Sequence, residues 1–64
     1  MKYLVEVADA NHVSLQEVNA RGIPEARREA RIAHIAMYKY QARPGLGMTE
    51  LPTEIYTDIV ESFE

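Results

Sequence analysis

Apolar and polar positions along this chain change period once, near residue 9. Residues 2–8 read Lys-Tyr-Leu-Val-Glu-Val-Ala, and Tyr3, Val5 and Val7 alternate with Lys2 and Glu6. That is the period of a strand with one buried face. Leu4 interrupts the alternation, and Leu4, Val7 and Ala8 would share a face in a helix. The β-branched and aromatic content favours the strand. Beyond it the spacing is helical. Ser14 followed three residues later by Glu17 has the form of a capping box, with Val13 and Val18 placed as a hydrophobic staple. The pattern predicts a short helix over 15–21, closed by Gly22 as a left-handed C′ residue.

Pro24 suits the first position of the next helix, and no breaker follows until Arg43-Pro44. The spacing predicts a long helix over 24–42. Ala26, Ala30, Ala33, Met37 and Tyr40 fall on one stripe, and Ile32, Ile35 and Ala36 form a second apolar patch. Residues 44–50 read as loop. A last helix is predicted over 52–63, with Ile55, Ile59 and Phe63 on one face, Tyr56 and Val60 beside them, and Glu54, Asp58 and Glu61 opposite. The expected fold is mainly α: an N-terminal strand or extended segment, then one short and two longer helices, in a single small domain covering 1–64.

Length sharpens this expectation. A chain of 64 residues buries only about 60% of the surface its unfolded form exposes, so its stability needs a supplement. With no cysteine, neither a disulfide nor a thiolate metal site supplies it. A strand at 2–8 also lacks an evident partner in an otherwise helical chain. A homodimer pairing that strand with its copy is expected. Apolar residues at 47% and charged residues at 27% fit an ordered globular chain. Glu6 breaks the first apolar run too early for a signal peptide, and no run approaches the roughly 20 apolar residues of a membrane span. A cytoplasmic location and no membrane partner are expected.

Charge is sorted along the chain. Residues 21–43 hold Arg21, Arg27, Arg28, Arg31, Lys39 and Arg43 against Glu25 and Glu29, whereas residues 44–64 hold Glu50, Glu54, Asp58, Glu61 and Glu64 and no cation. The acidic set forms a candidate partner-binding face for a Lys/Arg-rich surface. It suggests a small non-enzymatic protein-interaction module, of the size and charge of a phage or mobile-element inhibitor or regulator of a larger complex. The alternative lies on the basic helix, where Arg27, Arg28 and Arg31 share a side with His34 and Tyr38. Cations interleaved with an aromatic could hold phosphates and stack on a base.

Val13-Ser14-Leu15-Gln16-Glu17-Val18 followed by Gly22-Ile23 resembles the helix-turn-helix of bacterial repressor headpieces. The resemblance implies a DNA-binding regulator with the helix from Pro24 as its recognition helix. Its spacing is one residue short between Glu17 and Gly22, and Glu25, Ala26, Arg27 and Arg28 stand where headpieces carry Ser, Thr or Gln. Leu51-Pro52-Thr53-Glu54-Ile55 is similar to the opening of an F-box, over too few residues to imply its function. Catalysis has little support. His12 and His34 are the only imidazoles and lie far apart, Ser14 is explained as an N-cap, and no spacing suggests a metal or cofactor.

Overall fold

The N-terminal strand is present as β1, Lys2–Ala8, with Tyr3, Val5 and Val7 buried on one side. The computed structural model describes residues 1–41, 49–50, 52 and 54–63. Beyond β1 the architecture departs from expectation. A second strand, β2, occupies Val13–Asn19, where a short helix was predicted over 15–21. β1 and β2 form an antiparallel hairpin in continuous register from Lys2 opposite Asn19 to Ala8 opposite Val13. The Asp9 carboxylate closes the turn by accepting the amides of Asn11 at 2.6 Å and His12 at 2.8 Å, and the Asp9 amide donates to the His12 carbonyl at 2.9 Å. A seven-residue helix is marginal by itself, and a full ladder to β1 outweighs it. The Ser14 hydroxyl is spent in the core and not on a cap.

The helix α1 runs Ile23–Met37, with Pro24 in its first turn as expected. It ends before the predicted position 42. Tyr38 and Lys39 turn the chain, their amides donating to the carbonyls of His34 and Ala36, and Lys39 takes a left-handed conformation at φ 55°. Tyr40–Gln41 (β3) then pairs in parallel with Thr49–Glu50 (β4). The predicted loop at 44–50 falls largely outside the described residues.

The predicted helix over 52–63 is also corrected, because Tyr56–Phe63 forms a strand, β5, antiparallel to β1. Ile55 and Ile59 are four apart, an even number, so they share a strand face as readily as a helix face. The β-branched and aromatic residues Ile55, Tyr56, Thr57, Ile59 and Val60 favour the strand. A mainly helical protein is therefore replaced by a three-stranded antiparallel sheet of order β2-β1-β5 with one helix across it. β1 is the central strand. It has partners on both sides, so the reason for expecting it to pair with a copy of itself disappears.

The core lies between α1 and one face of the sheet. Tyr3, Val5 and Val7 meet Ala20, Ala26 and Ala30, with Val18, Ile55 and Ile59 packed against them. The small Ala26 and Ala30 side chains, both fully buried, let the helix axis approach the strands closely. Among the described residues, no helix is long and apolar enough to cross a membrane.

Candidate functional site

Helix α1 covers one face of the sheet, and among the described residues nothing covers the other face. Strand pairing sets its composition. Leu4, Glu6 and Ala8 of β1 stand beside Glu17, Leu15 and Val13 of β2, and beside Glu61, Asp58 and Tyr56 of β5. Val13, Leu15, Tyr56 and Val60 are 52–64% exposed here. A β-bulge between Leu4 and Val5 shifts the β5 register, so that Val60 and Glu61 follow one another on the open side and Phe63 is kept out of the core.

The open face is acidic as well as apolar. Glu6 and Asp58 are direct cross-strand partners, a like-charge pair that disfavours the sheet. In β1, β2 and β5, Lys2 is the single cationic side chain, and Glu17 holds it at 3.0 Å. Tyr56 donates its hydroxyl to Glu54, and that bond, with loss of water around the ring, pushes its phenol above the ordinary value. Of the five acidic residues singled out in the sequence, Glu54, Asp58 and Glu61 are exposed, on or just before a strand and not along a helix. The Glu50 side chain and Glu64 lie outside the described residues.

The basic set divides. Arg27, Arg28 and Arg31 are exposed on α1, and Arg28 only approaches Glu29 at 3.9 Å. Among the described residues, no ion pair joins these arginines to Glu54, Asp58 or Glu61. Charge sorted along the chain becomes charge separated in space, with cations on the helix and carboxylates on the open sheet. His34 does not belong to the basic face, because it is fully buried. Tyr38 is half-buried, stacked on His12 with ring centroids 3.8 Å apart.

His34 is instead the centre of a polar network inside the fold. Asp9 in the hairpin turn, Ser14 and Gln16 on the inner side of β2, and His34 on the inner side of α1 converge there. His34 Nε2–H donates to Asp9 Oδ2 at 2.6 Å, and both side chains are fully enclosed. The Ser14 hydroxyl donates to His34 Nδ1 at 2.7 Å, and its oxygen accepts Gln16 Nε2 at 2.9 Å. Tyr40 donates to Asp9 Oδ2 at 2.9 Å, which leaves its own oxygen to accept His12 Nδ1–H at 2.6 Å. Burial alone would push the Asp9 carboxyl up. Hydrogen bonds from His34, the Asn11 and His12 amides and Tyr40 outweigh it and hold the group well below the usual carboxylate range. Burial, then the neighbouring Asp9, pushes the Tyr40 phenol up.

Asp9, His34 and Ser14 have the order of an acid–base–nucleophile relay, but the surroundings do not serve one. Ser14 is buried and already bonded on both sides. A cleft of about 390 Å³ near the hairpin turn is lined by Ala8, Asp9, Ala10, Asn11, Pro52, Glu54 and Tyr56, and neither Ser14 nor His34 borders it. Among the described residues, no buried side-chain polar atom lacks a partner and no three His, Cys, Asp or Glu converge as metal ligands. The network joins the hairpin turn and β2 to the inner side of α1.

Two signals for this network stand in the sequence. Asp9-Ala10-Asn11-His12 has turn chemistry, and His34 continues the fours of Ala26 and Ala30 along the buried side of α1. No protein-family model matches the chain, and no curated protein or solved structure does either.

Proposed function

We propose that the protein is a non-enzymatic interaction module that docks a partner protein on the open face of its sheet. The supporting observation is the opposition of Glu6 and Asp58 amid exposed Leu15, Val13, Tyr56 and Val60. Apolar side chains on one face reward a partner's burial, and a carboxylate pair that has no cation partner among the described residues selects Lys or Arg in that partner. The matching partner surface is apolar with a central guanidinium or ammonium group. Binding there covers the face that α1 leaves bare and neutralises the repulsion across β1 and β5. The consequence for a larger complex is inhibition or regulation by occlusion of the surface that the chain covers.

Two double variants test this reading. Glu6→Lys with Asp58→Lys should keep the native circular dichroism and lose partner capture from the native host. Arg27→Ala with Arg31→Ala should keep both. The opposite outcome transfers function to the helix face and to an anionic partner such as nucleic acid.

A further inference from the structure

We propose that two copies of this chain pair antiparallel along the free edge of β2, joining two three-stranded sheets into one sheet of six strands. The phase of the β1–β2 ladder prepares that edge. At one end Ala20 and Met1 exchange hydrogen bonds, amide to carbonyl at 2.9 Å and terminal amine to carbonyl at 3.2 Å; at the other, Asp9 bonds the His12 carbonyl. In an antiparallel ladder the bonded pairs recur every second residue. Ser14, Gln16 and Val18 therefore turn their backbone groups toward β1, and Val13, Leu15, Glu17 and Asn19 turn theirs away. The Tyr38 hydroxyl, which donates to the Val13 carbonyl at 3.5 Å, reports the same outward direction. That carbonyl keeps a second lone pair for a strand partner. Among the described residues, no strand pairs with this edge.

Charge chooses β2 over β5. β5 carries a bulge together with Asp58 and Glu61, so pairing it with its copy would crowd carboxylates across the seam. β2 has a single charge, Glu17, already held by Lys2. In the six-stranded sheet the two β5 strands lie at opposite margins, five strand spacings or about 24 Å apart, well beyond the ~8 Å screening length at physiological ionic strength.

The edge is also complementary to itself. A two-fold axis at Gln16 sets Leu15 opposite Glu17 of the second copy and Val13 opposite Asn19, so every outward backbone group of β2 gains a partner. Moving the register two residues one way brings Glu17 against Glu17. Moving it the other way strands Asn19. One register satisfies the edge without opposing like charges, which a foreign peptide would have to match by its own sequence. A second copy also adds buried surface to a 64-residue chain whose core is small. Edge pairing uses backbone groups and leaves the outer surface of β5 free, so it stands apart from partner docking there.

Sedimentation equilibrium combined with amide exchange tests the proposal. At ~100 μM, above a micromolar dissociation constant, the wild type should have twice the chain mass, and the Leu15 and Glu17 amides should gain protection as concentration rises. Leu15→Pro removes an outward N–H at a position where an edge strand tolerates proline. It should weaken association at least about tenfold with native circular dichroism. Should that variant fail to fold, the wild-type amides decide. A chain of monomer mass at ~100 μM overturns the proposal, as does a dimer in which Leu15 and Glu17 exchange at the dilute rate. A dimer abolished by Tyr56→Lys overturns it too, because self-association would then use the open face.

Discussion

Asp9→Asn probes the polar interior with the smallest change of shape. Oδ1 survives as an acceptor, so the amides of Asn11 and His12 keep their bonds and the hairpin turn is retained. Oδ2 becomes an amide nitrogen facing two donors, His34 Nε2–H and the Tyr40 hydroxyl. His34 can adapt by moving its proton to Nδ1, but the Ser14 hydroxyl hydrogen then loses its acceptor, and so does the Tyr40 hydroxyl. A buried donor without a partner costs about 1–3 kcal/mol, so a net loss of about 2 kcal/mol is expected. A chain of this length has a total stability on the order of 3–10 kcal/mol, so that loss is a large share. With an m-value of about 1 kcal/mol/M, the urea midpoint at neutral pH should fall by about 2 M.

The pH dependence separates this account from simple misfit. Asp9 is depressed in the folded state, so the unfolded chain binds the proton more readily. Its contribution is present above the unfolded value of about 3.9 and is lost as pH falls through the lower folded value. Urea titrations of both proteins from pH 7 down to about pH 2.5, below the ordinary carboxylate value, should show the gap narrowing only below about pH 4. A gap under about 0.5 kcal/mol at pH 7, the size of an ordinary surface change, would refute the reasoning. So would a gap that does not narrow in acid.

Ala30→Glu places a charge against the fully buried contact between α1 and the sheet and should cost about 3 kcal/mol or more, read as loss of the cooperative thermal transition. Lys39→Gly relieves a left-handed non-glycine residue after α1 and should stabilise by about 1 kcal/mol in a urea titration. Asp58→Lys turns the Glu6 repulsion into attraction and should raise stability by about 0.5 kcal/mol, a gain that high salt should erase.

The legible and illegible parts of the fold divide by where tertiary contacts enter. β1 is plain in the sequence because its inward residues are apolar and its flanking ones charged. α1 starts where Pro24 says, but ends early because Lys39 adopts the left-handed stop with no glycine to announce it. β5 was ambiguous in principle, since Ile55 and Ile59 share a face in either structure. Asp58 is an odd number of residues from both and so lies on the opposite strand face, with the carboxylates on the solvent side. Glu61 joins it only through the bulge. β2 misled more deeply. Its inward residues include polar Ser14 and Gln16, its outward ones apolar Val13 and Leu15, and the Ser14–Glu17 interval imitates a helix cap.

That inverted strand links the polar core to the open face. A register slip of one residue would turn Val13 and Leu15 inward and gain roughly 1.5–3 kcal/mol for each side chain buried. It would also carry Ser14 and Gln16 to the outside and leave the enclosed His34 without its partner on β2. Leaving a buried hydrogen-bonding group without its partner costs about 1–3 kcal/mol. The slip would in addition break the two-residue turn that Asp9 closes between its own amide and the His12 carbonyl. The two totals are of the same order, so burial of β2's apolar residues does not decide the register. The decision falls to the polar contacts of Asp9, Ser14 and His34. By holding Ser14 and Gln16 inside, they keep Val13 and Leu15 exposed on the open sheet, on the surface proposed above for partner docking.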